Sequence, residues 1–215
     1  MAFVVGGAVG LDTSDASRDY IHLYRGDRAA LAGSLDRIQR NITRCDNIIS
    51  ELLDYARMPG LNLQVVDFDD WLNRLLDEQV LPEGIVLRRD LASRVHMSLD
   101  PERFRRVIIN LVDNARQAML AAPGADRGGK VLGVQTKVEG DRLKVMISDT
   151  GTGIAPEVMP HIFEPLYSTK GFGAGLGLSV VKGIVDQHGG EIEITSEAGQ
   201  GTRVVVRLPL TPLEG

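Results

Sequence analysis

Between Leu31 and Ala56 the apolar residues step alternately by four and by three: Leu31, Leu35, Ile38, Ile42, Cys45, Ile49, Leu52 and Ala56. Held over about four heptads, this spacing lays one apolar seam along a long helix, and the seam has to be covered by other helices. Ile48 and Leu53 widen the stripe beyond what a two-stranded coil uses, so a helical bundle is expected, most simply a dimeric four-helix bundle. The seam helix must end at Arg57-Met58-Pro59-Gly60, because proline cannot continue a helix and glycine releases the chain into a new direction. A domain boundary is therefore expected at residue 60, with a partial helical hairpin over residues 1–60 and a second domain over 61–215. Upstream, the glycine-rich apolar stretch of residues 3–11 reads as the end of a preceding helix, and polar residues 12–17 as its turn.

Past Gly60 the texture changes to short strands interleaved with helices. Strands are expected at 63–66, 85–90, 95–98, 131–138, 142–148, 191–196 and 202–208, and helices near 69–79, 101–120 and 177–187. The fold class is α+β, with the helices gathered on one face of a sheet. Asp100-Pro101-Glu102 is a well-formed helix start: a capping carboxylate, proline in the first turn, and acid at the positive end of the dipole.

The chain of 215 residues is 43% hydrophobic and 25% charged, which allows a full core and disfavours disorder. Its net charge of −5 comes without a basic run or aromatic-basic alternation, so no nucleic-acid partner is expected. The early apolar stretch falls far short of the ~20 residues of a membrane span and has no basic leader, so no membrane contact is expected from this segment. One cysteine, Cys45, fits a reducing cytoplasm and excludes an internal disulfide.

Three features carry chemistry. The helix after Asp100 sets Phe104, Val107, Ile108, Leu111, Val112, Ala115 and Met119 on one face, with Asn110, Asn114 and Gln117 in line on another. Amide oxygens of this kind are hard ligands suited to Mg²⁺ beside phosphates and water, although a solvated face would carry them too. A strand then ends in Asp149, followed by Thr150-Gly151-Thr152-Gly153. The carboxylate there can accept a hydrogen bond from an exocyclic amine, and the glycines let backbone approach a flat ring. Finally, Gly171-Phe172-Gly173-Ala174-Gly175-Leu176-Gly177-Leu178 runs into an apolar helix, offering backbone N–H groups and a helix dipole to an anion.

In this order, the segments starting Asn110-Leu111-Val112-Asp113-Asn114, Asp149-Thr150-Gly151-Thr152-Gly153, Ile162-Phe163-Glu164-Pro165 and Gly173-Ala174-Gly175-Leu176-Gly177-Leu178 resemble the N, first glycine, F and second glycine boxes of sensor histidine kinases. These belong to the GHKL superfamily, together with gyrase, the MutL repair protein and a heat-shock chaperone. The resemblance runs from about residue 63 to 210 and includes the Gly199-Gln200-Gly201-Thr202 turn. It implies a Bergerat-type α/β sandwich holding ATP and Mg²⁺ under a mobile lid. Asn114 would hold the metal with help from Asn110, and Asp149 would take the adenine amine in a pocket shaped by Gly151, Gly153, Ile154 and Thr202. Gly173, Gly175, Leu176, Gly177 and Leu178 would form the phosphate end, with Gln117 and Phe163 also near the nucleotide. Lys170, at the near end of the lid, either approaches the triphosphate or stays solvated.

ATP-hydrolysing relatives place a glutamate where this chain has Asn110. An amide cannot act as a general base toward water, so the site suits a kinase that waits for a protein nucleophile. The resemblance implies transfer to a histidine and then to the aspartate of a response-regulator receiver domain, by a homodimer in the cytoplasm. None of the four histidines, His22, His96, His161 and His188, stands in the family's acceptor pattern. Ala2-Phe3-Val4-Val5-Gly6-Gly7 resembles the segment just after that pattern in nitrogen-regulator-like kinases, so the chain is expected to begin past the acceptor. The alternative is a non-catalytic, nucleotide-dependent regulator of a two-component pathway.

Overall fold

The computed structural model describes residues 60–122, 129–167 and 175–210, which lie in the compact unit Ser50–Gly215. The expected seam helix, hairpin and pairing fall outside the described residues, as do Lys170 and Gly173.

Among the described residues, β1 (Gln64–Asp67), α1 (Phe68–Asp77), β2 (Ile85–Leu91), β3 (His96–Leu99), α2 (Pro101–Ala121), β4 (Lys130–Glu139), β5 (Arg142–Asp149), α3 (Gly177–Gln187), β6 (Glu191–Glu197) and β7 (Gly201–Pro209) follow one another. Past Gly60, each expected strand and helix is present, displaced by no more than two residues at an end. The start of α1 shows why ends shift. Asp67 closes β1 and also caps the helix, its carboxylate accepting from the Asp70 N–H at 3.1 Å, so α1 begins at Phe68.

The main sheet has the order β2-β4-β5-β7-β6, with β2 parallel to β4 and the other neighbours antiparallel, and β1 pairs with β3 separately. Alternation along the strands turns Leu132, Val134, Leu143, Val145, Ile147, Val204, Val206 and Leu208 into one buried face. Against it lies α2, burying the apolar face read from its spacing, Phe104 through Met119. Each such side chain contributes roughly 2 kcal/mol of burial. Phe68 and Trp71 of α1 meet Phe104 of α2 at ring-centroid distances of 6.0 Å and join the same core.

A buried polar knot fixes the far corner. The Asp69 carboxylate accepts from the Ser93 and Thr136 hydroxyls at 2.6 and 2.7 Å and from the Arg94 N–H at 2.8 Å. Burial pushes the Asp69 carboxyl up, but these donors outweigh it and hold the group below its ordinary value.

Candidate functional site

The antiparallel register of the sheet decides the floor of the site. Asp149 stands opposite Leu132 on one side and Thr202 on the other, and Thr202 stands opposite Ser196, so these four residues form one row across β4, β5, β7 and β6. The next row in from Asp149 is Val134, Ile147, Val204 and Ile194. A row that is polar at Asp149, Thr202 and Ser196 thus borders an apolar one, the combination of apolar lining and a few placed polar groups that ligand sites use.

Backbone contacts lock the loop after β5. Gly151 is buried against α2, where a Cβ would stand 2.6 Å from the Ala118 carbonyl carbon, and its N–H donates to Asp149 Oδ1 at 2.8 Å. The Thr152 N–H donates to the Ala118 carbonyl at 3.2 Å, and the Gly199 N–H to the Thr152 carbonyl at 2.7 Å. Gly153, at φ +66°, leaves only 2.0 Å between an added Cβ and the Glu197 carbonyl oxygen. Gly201, at φ +92°, leaves the same 2.0 Å to the Asp149 carbonyl oxygen. Ser196 completes the lock: its hydroxyl accepts from the Ile154 N–H at 2.8 Å and donates to the Gly201 carbonyl at 2.8 Å.

At the other end α3 begins beside α2. The Asn110 Nδ2 donates to the Arg106 carbonyl at 2.9 Å, which turns its Oδ1 toward the start of α3. That oxygen would be 3.0 Å from a Cβ on Gly177. Gly175, at φ +70°, packs where a Cβ would lie 2.7 Å from the Tyr167 carbonyl oxygen, so the described segments that end at Tyr167 and resume at Gly175 meet through backbone. On the near flank, His161 Nδ1 lies 2.8 Å from Glu164 Oε1, and the His161 ring sits 5.2 Å from that of Tyr167.

One cavity of about 990 Å³ joins these ends. Asn110, Asn114 and Gln117 of α2 line it, with Asp149, Gly153, Ile154 and Thr202 at one end and Gly175, Gly177 and Leu178 at the other. Gly151 is not in the lining; it lies beneath, orienting Asp149. Leu176 is wholly buried in the core behind the wall, and Phe163 is half-buried away from the lining. Residues not singled out from the sequence also face the cavity, among them Ile147, Val204, Ile194 and Tyr167. The strand alternation held the signal for the first three, since they share a face with Asp149, Thr202 and Ser196.

Residues 99–212, more than half of the chain, match the family described as histidine kinase-, DNA gyrase B-, and HSP90-like ATPase. The chain belongs to this family. Among curated proteins, sensor histidine kinase ZraS of Escherichia coli (strain K12) is 32% identical over 195 residues, covering 87% of this chain and 40% of that protein. Sensor kinase CckA of Brucella abortus (strain 2308) is 35% identical over 187 residues, covering 80% of this chain and 20% of that protein. The chain therefore spans less than half the length of these relatives. The solved structure of full-length ShkA in complex with AMPPNP aligns with a TM-score of 0.68 at 22% identity, covering 88% of this chain and 40% of that one. The family match and these relatives together support a GHKL domain of the sensor histidine kinase kind.

This GHKL domain has a donor set that fits a magnesium ion held mainly by phosphates. Among the described residues no group of three or more His, Cys, Asp or Glu converges on a point. Asn110 and Asn114 offer hard amide oxygens on one helix face, and a cation that keeps several waters needs only one or two protein ligands. No helix of the described residues is long and apolar enough to cross a membrane.

Proposed function

We propose that the chain is the catalytic end of a sensor histidine kinase. It binds Mg-ATP across the cavity and transfers the γ-phosphoryl group to a histidine outside the described site, from which a receiver-domain aspartate receives it. The reading rests on one observation: Asp149 and the α3 N-terminus stand at opposite ends of a single cavity, with Asn110 and Asn114 between them. Asp149 accepts a hydrogen bond from the adenine amine, and Ile147 and Val204 support the ring. The N–H groups at the start of α3 and the helix dipole attract the phosphates. Asn114, assisted by Asn110, holds Mg²⁺, which neutralises phosphate charge when bound.

In the transfer, the bond from the γ-phosphorus to the bridging oxygen breaks as a neutral imidazole nitrogen bonds to that phosphorus, and ADP departs. Asn110 cannot take a proton from water, so hydrolysis is not promoted and the nucleotide waits for the acceptor. Lys170, outside the described residues, would add a cation near the triphosphate. A helical hairpin before Gly60, outside the described residues, would pair two chains, and the assembly would work on the cytoplasmic side of its parent protein.

Mixing the chain with a separate bundle domain that carries the acceptor histidine, and with ATP labelled on the γ-phosphate, tests the reading. Acid-labile label on that domain is the expected result. ATP binding without any labelled histidine would overturn the kinase reading and leave a nucleotide-dependent regulator.

A further inference from the structure

At the end of the domain away from the lid, α2 begins where α3 stops. His188, only 3% exposed, closes α3 and lies edge-on to Phe104 at 5.7 Å. Its Nε2 accepts the Asp100 N–H at 3.1 Å, and its Nδ1 lies 2.8 Å from the Ile184 carbonyl. A backbone N–H can only donate and a carbonyl can only accept, so the ring must be neutral with its proton on Nδ1. The Asp100 side chain caps α2 through the Arg103 N–H at 3.0 Å and accepts the Asn62 N–H at 2.9 Å, while Arg103 donates to Gln187 at 2.6 Å. The last turn of α3 is thus tied to the first turn of α2.

The helices run antiparallel, since Gly177 at the start of α3 meets Asn110 midway along α2. From His188 to Gly177 the rigid rod is about 16 Å long. Displacing its tied end slides or tilts the N–H groups that face the phosphates, whereas Asp149 and Thr202 belong to the sheet and stay in place. We propose that His188 is a positioning residue for the phosphate end of the nucleotide site, acting through the Asp100 N–H to set where α3 begins relative to Asn110. The inference rests on the nucleotide-site reading above.

The probes are adenosine, which engages the Asp149 end alone, and Mg-AMPPNP, which engages both ends. Their affinity ratio reports the phosphate end, and a merely structural role for His188 would lower stability without moving it. In H188L, which leaves the Asp100 N–H buried without an acceptor, the ratio should fall about tenfold, since small misplacements at a reacting site are costly. H188Q, whose amide oxygen can accept that N–H, should restore most of it.

Should H188L fail to fold, H188F keeps a ring packed against Phe104 while removing the acceptor of the Asp100 N–H, and supplies the same change. The ratio should fall about tenfold in H188F as in H188L and stay near the native value in H188Q. An unchanged ratio in folded H188L or H188F would overturn the proposal. Native protein that binds neither probe would instead overturn the nucleotide site itself.

Discussion

At the Asp149 end of the cavity, backbone presses on backbone: Gly151 on Ala118, Gly153 on Glu197, Gly201 on the Asp149 carbonyl. At the Gly177 end, one helix N-terminus faces one side-chain oxygen, that of Asn110, and the helix is held at its far end by a histidine. The first end is fixed by close packing that leaves no alternative arrangement. At the second, only Gly175 meets backbone, that of Leu166 and Tyr167, and the helix N-terminus at Gly177 is left facing the cavity. Recognition of a base calls for the former and transfer of a phosphoryl group for the latter.

The strongest way to break this contrast is to add a side chain where backbone meets backbone. Gly201→Ala places a Cβ 2.0 Å from the Asp149 carbonyl oxygen at a positive φ. A cost of about 3–4 kcal/mol is expected, lowering the Tm by about 10 °C and abolishing binding of adenosine and Mg-ATP together. Calorimetric melting with parallel binding titrations checks it. Asp149→Asn should leave the fold intact and weaken both ligands by about 30- to 100-fold, the value of a charge-assisted hydrogen bond in a partly desolvated site. Isothermal titration with each ligand reads this directly.

Gly177→Ala bears on the other end. The added Cβ stands 3.0 Å from Asn110 Oδ1, and alanine favours a helix over glycine, so stability should hold or rise slightly. Mg-ATP binding should weaken about tenfold while adenosine binding is unchanged. Equal loss of both ligands would erase the distinction between the ends.

The smallest expected effect is on the pH dependence of stability. Burial lowers the His188 pKa below its ordinary value of 6.5, outweighing the opposite pull of the Ile184 carbonyl and Asp100. The unfolded chain therefore binds more protons over this range, and stability rises with pH. His188 contributes fully above about pH 6.5, and its contribution is lost as the pH falls toward the depressed folded value. The Tm of the native chain should decline from pH 7 to 5 more steeply than that of H188Q, by a few degrees.

The two ends also differed in how well the sequence revealed them. The amide line of α2 and its buried face follow from helical spacing alone, and the structure places both on the elements read from the sequence. Strand positions followed from local alternation. The register did not: that Asp149 lies beside Thr202 depends on pairing β5 with β7 across the intervening α3 and β6, which no local pattern encodes. The sequence motif places Gly151 beside Asp149, but not its close packing on Ala118, which depends on where α2 lies. Leu176 lies within a glycine box yet points into the core, since a helix start must bury its first apolar residue. His188 gave no sequence signal beyond its place before two glycines, and its role depends on a residue 88 positions away.

The most direct test of the account is a titration of the chain with Mg-ATP and with Mg-GTP under identical conditions. The two share their phosphates, but guanine carries a carbonyl where adenine carries the amine assigned to Asp149. Saturable, one-to-one binding of Mg-ATP with Mg-GTP weaker by at least about 30-fold is the predicted result. Equal affinity for the two, or a preference for Mg-GTP, would contradict the assignment of Asp149 and with it the orientation of the nucleotide in the cavity.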